Sequence, residues 1–87
     1  GDDPDGRDYR NHLRREGVNC STITTVRGGT GSAFITVDAR GENQIIVIPG
    51  ANAALTAPAL KVQRSRIEVA KALLLQLEVP LESAVEA

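Results

Sequence analysis

The sequence is poor in what usually stabilises a small fold. It has one cysteine, Cys20, so no disulfide can form within the chain, and no Cys/His cluster is present to hold a structural zinc. Aromatic residues make up 2% of the chain, Tyr9 and Phe34 alone, which leaves any core to Val, Ile, Leu and Ala. No apolar run approaches the roughly 20 residues of a membrane span. The opening GDDPDGRD is acidic and apolar-poor, the opposite of a secretory signal. Neither sign of charge dominates: the net charge of −1 is too neutral for electrostatic binding of nucleic acid. What remains is an ordinary globular balance, 41% apolar and 24% charged over 87 residues. That length makes at most one small domain, able to bury roughly 60–65% of its surface. Without staples, such a chain needs very good packing or a partner.

Local signals are clear in places. Asp3-Pro4 reads as an N-cap followed by proline at the first helical position. The run to Glu16 fits a helix with Tyr9 and Leu13 on one face and Arg7, Arg10 and Arg14 on the other, closed by Gly17. Its thin apolar stripe predicts a place outside a sheet. Ile23–Val26 reads as a modest strand and Arg27–Gly31 as a turn. Ser32–Val37 and Gln44–Ile48 are β-branched runs joined by a polar, glycine-bearing link, which predicts an antiparallel hairpin. Neither run alternates cleanly, so both faces of the hairpin are expected to be covered.

Further on, Thr56 reads as an N-cap for a helix to about Arg66. Ala72–Leu77 fits a strand buried in a parallel sheet, with a helix as the alternative that periodicity leaves open. Pro80 opens a last helix with Glu82 in its first turn. The element order is that of an α/β protein. Both ends are abrupt, and the expectation is a single incomplete domain: 1–28 a helix and strand at the edge of a core, 29–50 the hairpin, 51–87 helix, strand and helix.

Few motifs carry chemistry. Gly29-Thr30-Gly31-Ser32 lacks the lysine of a Walker loop, and a strand follows it where a dinucleotide fingerprint needs a helix, so it reads as a plain turn. Asp3, Asp5 and Gly6 imitate part of a calcium loop, but Gly1 and His12 stand where its first and twelfth ligands belong. His12, the only histidine, lies on a charged helix face, and Cys20 reads as a small buried hydrophobe. Asn19-Cys20-Ser21 has the form of a glycosylation sequon without other signs of secretion. Glu78 stands out. It follows the apolar run and precedes the proline, at the carboxyl end expected of a parallel strand, where open α/β sheets bind ligands. A carboxylate there accepts hydrogen bonds from sugar hydroxyls; a helix-capping or solvated glutamate is the competing reading.

Taken in order, Gly1-Asp2-Asp3-x-x-Gly6, Thr30-Gly31-x-Ala33-x-Ile35, Gly41-Glu42-Asn43, Pro49-Gly50-Ala51-Asn52-Ala53-Ala54-Leu55 and Leu75-Gln76-Leu77-Glu78-x-Pro80-Leu81-Glu82 resemble the ribokinase-like (PfkB) carbohydrate kinases over nearly the whole chain. Any one motif is weak; their order and spacing carry the likeness. The resemblance implies a partial ribokinase-like α/β fold, less than a third of a family enzyme, in which the hairpin belongs to a β-lid over the sugar and to a dimer contact. It implies that Ala33, Ile35 and Ile45 pack on the sugar and that Glu78 binds its hydroxyls. The implied parent reaction is ATP- and magnesium-dependent phosphorylation of ribose, in the cytoplasm. The family's Gly-Gly-Lys-Gly-Ala-Asn segment and its Gly-Ala/Ala-Gly-Asp motif, which carries the catalytic aspartate and anion hole, have no counterpart in these residues. No cofactor is therefore expected on this chain. Its expected partners are itself, as a homodimer or higher assembly, or complementary kinase segments, rather than nucleic acid or membrane. One chain of a split, active kinase is the alternative, and a stand-alone sugar-binding module a weaker one.

Overall fold

The computed structural model describes residues 1–87. Helix α1 spans Pro4–Arg15, and its ends follow the local signals. Asp3, in extended conformation, accepts the Gly6 amide at 2.8 Å, and Pro4 fills the first helical position. At the other end Gly17 adopts φ 79°, which lets the Val18 amide reach the Leu13 carbonyl at 3.0 Å and the Gly17 amide reach Arg14 at 3.1 Å. These paired bonds form a Schellman stop. No residue of α1 is buried. Its link to the following loop is Arg10, whose guanidinium donates to the Ile23 carbonyl at 2.7 Å and to Thr25 Oγ1 at 3.2 Å.

Strands β1 (Ser32–Val37) and β2 (Asn43–Ile48) pair antiparallel, with Ala33 opposite Val47, Ile35 opposite Ile45 and Val37 opposite Asn43. The link turns on Gly41, at φ 83°, and on Asp38. Asp38 Oδ1 accepts the Glu42 amide at 3.0 Å and the Arg40 amide at 2.8 Å, and these bonds hold its carboxyl below the ordinary aspartate range. A 3₁₀ turn over Gly50–Ala54 follows, then short helices α2 (Ala57–Lys61), α3 (Arg64–Glu68) and α4 (Leu81–Glu86). Helix α4 packs on α2. Ser83 Oγ donates to the Leu55 carbonyl at 2.5 Å, and Lys61 lies 3.7 Å from Glu86.

The helix-plus-hairpin composition agrees with a partial α/β fold, but three element readings need correction. Ile23–Val26 is not a strand: the only sheet is two-stranded, and a strand without a ladder partner has nowhere to send its N–H and C=O groups. Leu73–Leu77 is neither paired nor buried, and Leu74 is 96% exposed. The helix expected from Thr56 to Arg66 is broken at Val62–Gln63 into α2 and α3. The hairpin is confirmed, yet both its faces are open: Phe34, Ile35, Ile46 and Val47 are all more than half exposed.

Only Cys20, at 6% exposure, and Ser83, at 1%, are buried, so the thiol is the small buried group expected. The accessible surface is 7063 Å². A folded monomer of this mass exposes about 4,900 Å², so the excess is about 2,100 Å². The radius of gyration, 15.1 Å, likewise exceeds the roughly 12 Å of a compact chain of this length. The structure is a set of well-formed local pieces around an unfilled interior.

Candidate functional site

Where the hairpin leaves the body, its base forms one wall of an open cleft of about 610 Å³. Gly31, Ser32 and Ala33 of the β1 side and Val47, Ile48 and Pro49 of the β2 side line it. Asn52 and Ala53 of the 3₁₀ turn form its floor, and Leu77–Pro80 the opposite wall. This volume lies within the range of about 300–1,000 Å³ for small-molecule sites, and apolar walls with a few polar groups are their usual lining.

Of the four residues proposed from the sequence, the cleft brings Ala33 and Glu78 together. Ile35 and Ile45 do not line it. They face each other across the hairpin, on the Ala33/Val47 face and one step further toward the tip. Glu78 is exposed and belongs to none of the chain's ion pairs. It does not cap α4 either, since Pro80 occupies the N-cap and no side chain satisfies that end. The carboxylate is free to accept hydrogen bonds from a ligand.

Two neighbours of the cleft went unassigned in the sequence reading. Asn52 sits at the floor with its amide close to Gly31, so closely that a Cβ on Gly31 would lie 2.7 Å from Asn52 Nδ2 and from the Pro49 carbonyl oxygen. The run Gly50–Leu55 was noted only as a motif. Asp3, read from the sequence as a helix cap, also accepts the Thr30 amide at 2.6 Å and the Thr30 hydroxyl at 2.5 Å. These bonds from Thr30, with that from Gly6, lower its pKa to about 2. No spacing rule could have found the pairing.

The other motifs keep their plain readings. In the Gly29–Ser32 turn the Thr30 amide donates to Asp3 and the Gly29 carbonyl accepts the Ala51 amide at 2.8 Å, so its amides do not all converge on one point. No group of three or more His, Cys, Asp or Glu side chains is placed to hold a metal ion, and His12 is exposed. No helix is long and apolar enough to cross a membrane.

The sequence matches the pfkB family carbohydrate kinases over residues 1–87, and the chain belongs to that family. Within it, the likeness is to proteins named ribokinase. That of Schizosaccharomyces pombe is 36% identical over 84 residues, 95% of this chain and 26% of the relative. The bifunctional ribokinase/ribose-5-phosphate isomerase A of Fructilactobacillus sanfranciscensis is 38% identical over 88 residues, all of this chain and 16% of the relative. The crystal structure of ribokinase from Thermotoga maritima superposes with a TM-score of 0.83 at 34% identity, over 99% of this chain and 28% of that one. The chain spans about a quarter or less of the length of these relatives.

Proposed function

We propose that these residues supply the lid hairpin and one sugar-binding wall of a ribokinase-type kinase, with ribose as the sugar. Glu78 accepts hydrogen bonds from ribose hydroxyls, and Ala33, followed by Ile35 and Ile45 as the hairpin leans in, packs on the apolar edge of the ring. One observation carries this reading: Glu78 and Ala33, far apart in sequence, line the same cleft, and the carboxylate is free. The family membership and the ribokinase names of the relatives support the choice of sugar. In this reading the ATP site, the catalytic base and the anion hole come from other segments of the kinase fold, because phosphoryl transfer rests on positioning and charge stabilisation that residues 1–87 do not offer. By themselves they are not a kinase. The setting is cytoplasmic, in keeping with a lone reduced thiol.

The test is calorimetric titration of ribose into the full-length protein and its Glu78→Ala variant. Losing a hydrogen bond to a charged group costs about 1.5–3 kcal/mol, so affinity should fall about tenfold to a hundredfold. An unchanged affinity removes Glu78 from the site and the sugar reading with it.

A second reading, that the chain also associates with copies of itself or with complementary kinase segments, is favoured by the surface excess. About 2,100 Å² is more than the roughly 800 Å² per partner of a standard interface and matches one partner's share of an obligate one. The apolar faces of the hairpin and the Leu73–Leu77 run are the surfaces such a partner would cover.

A further inference from the structure

The hairpin is in extended contact with no helix. The element pairs in extended contact are β1 with β2 and α2 with α4; neither hairpin face packs on a helix. Extended packing on a helix therefore does not set its stance over the cleft. What ties its base to the body is a set of bonds on the Gly28–Gly31 turn, where β1 begins. Those bonds come from two sides. On one, the Ala51 amide donates to the Gly29 carbonyl at 2.8 Å, tying the turn to the segment after β2. On the other, the Asp2 amide donates to the Gly28 carbonyl at 3.0 Å, and Asp3 accepts both donors of Thr30. Asp3 is the one side chain that joins α1 to the hairpin base. Thr30 is followed directly by Gly31, Ser32 and Ala33, which line the cleft.

We propose that Asp3 is a positioning residue, whose carboxylate couples the N-terminus of α1 to the start of β1 and so sets the hairpin's angle over the Glu78 wall. Its two oxygens divide the work. Oδ1 accepts the Gly6 amide and the Thr30 hydroxyl, and Oδ2 accepts the Thr30 amide. Helix capping needs one acceptor, and serine or asparagine provides that as well as aspartate does. Holding Gly6 and both Thr30 donors together needs two oxygens that both accept. Only a carboxylate of this length has them. The consequence for ligand affinity rests on the sugar-site reading above; the positioning itself does not.

The test separates cap from clamp. Asp3→Ser keeps a capping oxygen but is too short to reach Thr30, and Asp3→Asn keeps the length but turns a donor toward one of the amides. In the full-length protein, spin labels at Arg40→Cys on the hairpin tip and Leu81→Cys beyond the Glu78 wall report the hairpin's angle, while circular dichroism reports helix content. With helix content held, both variants should broaden or shift the distance distribution and speed exchange of the Thr30 amide several-fold. A distribution and exchange rate unchanged in both variants would overturn the proposal and leave Asp3 a helix cap. If Asp3→Ser also loses helix, Asp3→Asn decides alone. Ribose titration of the same variants should show weakened binding. Should ribose affinity prove indifferent to Glu78→Ala as well, the sugar reading fails, and the label distances still judge the clamp.

Discussion

Two glycines in one turn should respond in opposite ways to the same added methyl group. At Gly31 a Cβ would stand 2.7 Å from the Pro49 carbonyl oxygen and 2.7 Å from Asn52 Nδ2. The first is backbone at the end of β2 and cannot swing aside, so the hairpin base must open. Overpacking of this kind costs about 1–3 kcal/mol. The loss of chain entropy in the unfolded state offsets about 0.4–1 kcal/mol of that, leaving a net loss at most of the range. At Gly29 the nearest atom to a new Cβ is Asp3 Oδ2, at 3.8 Å, an ordinary contact, and the backbone is not left-handed. There only the unfolded-state effect remains, and Gly29→Ala should be neutral or slightly stabilising. Thermal unfolding of the two variants makes the comparison, with roughly 4–8 °C per kcal/mol expected for a domain of 60–100 residues. Exchange of the Ala51 amide, which reads the hairpin base directly, should accelerate in Gly31→Ala and not in Gly29→Ala. Equal behaviour of the two variants would refute the close packing of Gly31 on Asn52, and with it the floor of the cleft.

Two more outcomes follow from the same geometry. Asp3 is held near pKa 2 by the Thr30 hydroxyl, the Thr30 amide and the Gly6 amide, against an ordinary value of 3.8. A depressed carboxyl stabilises the folded state fully above its unfolded value and loses that contribution as pH falls through the folded one. The clamp should therefore hold at pH 5 and weaken between about pH 3.8 and about pH 2, followed by the Thr30 amide resonance; a midpoint at 3.8 or higher would contradict the bonds. In sedimentation velocity, the isolated 87-residue chain should run as a dimer or larger at micromolar concentration, because its excess apolar surface has no other cover; a compact monomer would refute the self-association reading.

Much of the local structure was legible in the residues. Asp3-Pro4 and Gly17 mark the ends of α1 because capping is decided by atoms a few positions apart. The hairpin follows from two β-branched runs around Gly41, since a strand whose partner lies six residues away finds it by a short turn. The family was legible too, through the order of several weak motifs. The misreadings are of one kind. Leu73–Leu77 and Ile23–Val26 have strand composition, but a strand is a relation between two segments, and residues 1–87 contain no partner for either.

The site divides along the same line. Glu78 was picked out from its place between an apolar run and a proline, both local features, and Ala33, Ile35 and Ile45 through the family likeness. That Ala33 shares the cleft with Glu78 while Ile35 and Ile45 stand outside it depends on the angle of the hairpin. At the hairpin base Asp3 meets Thr30 and Gly31 lies against Asn52, while Ser83 anchors α4 to Leu55. Sequence by itself determined the pieces whose energies are set within a turn or two of chain. Tertiary structure alone decided how they meet, because contacts between distant segments depend on distance in space, and spacing along a chain does not encode it.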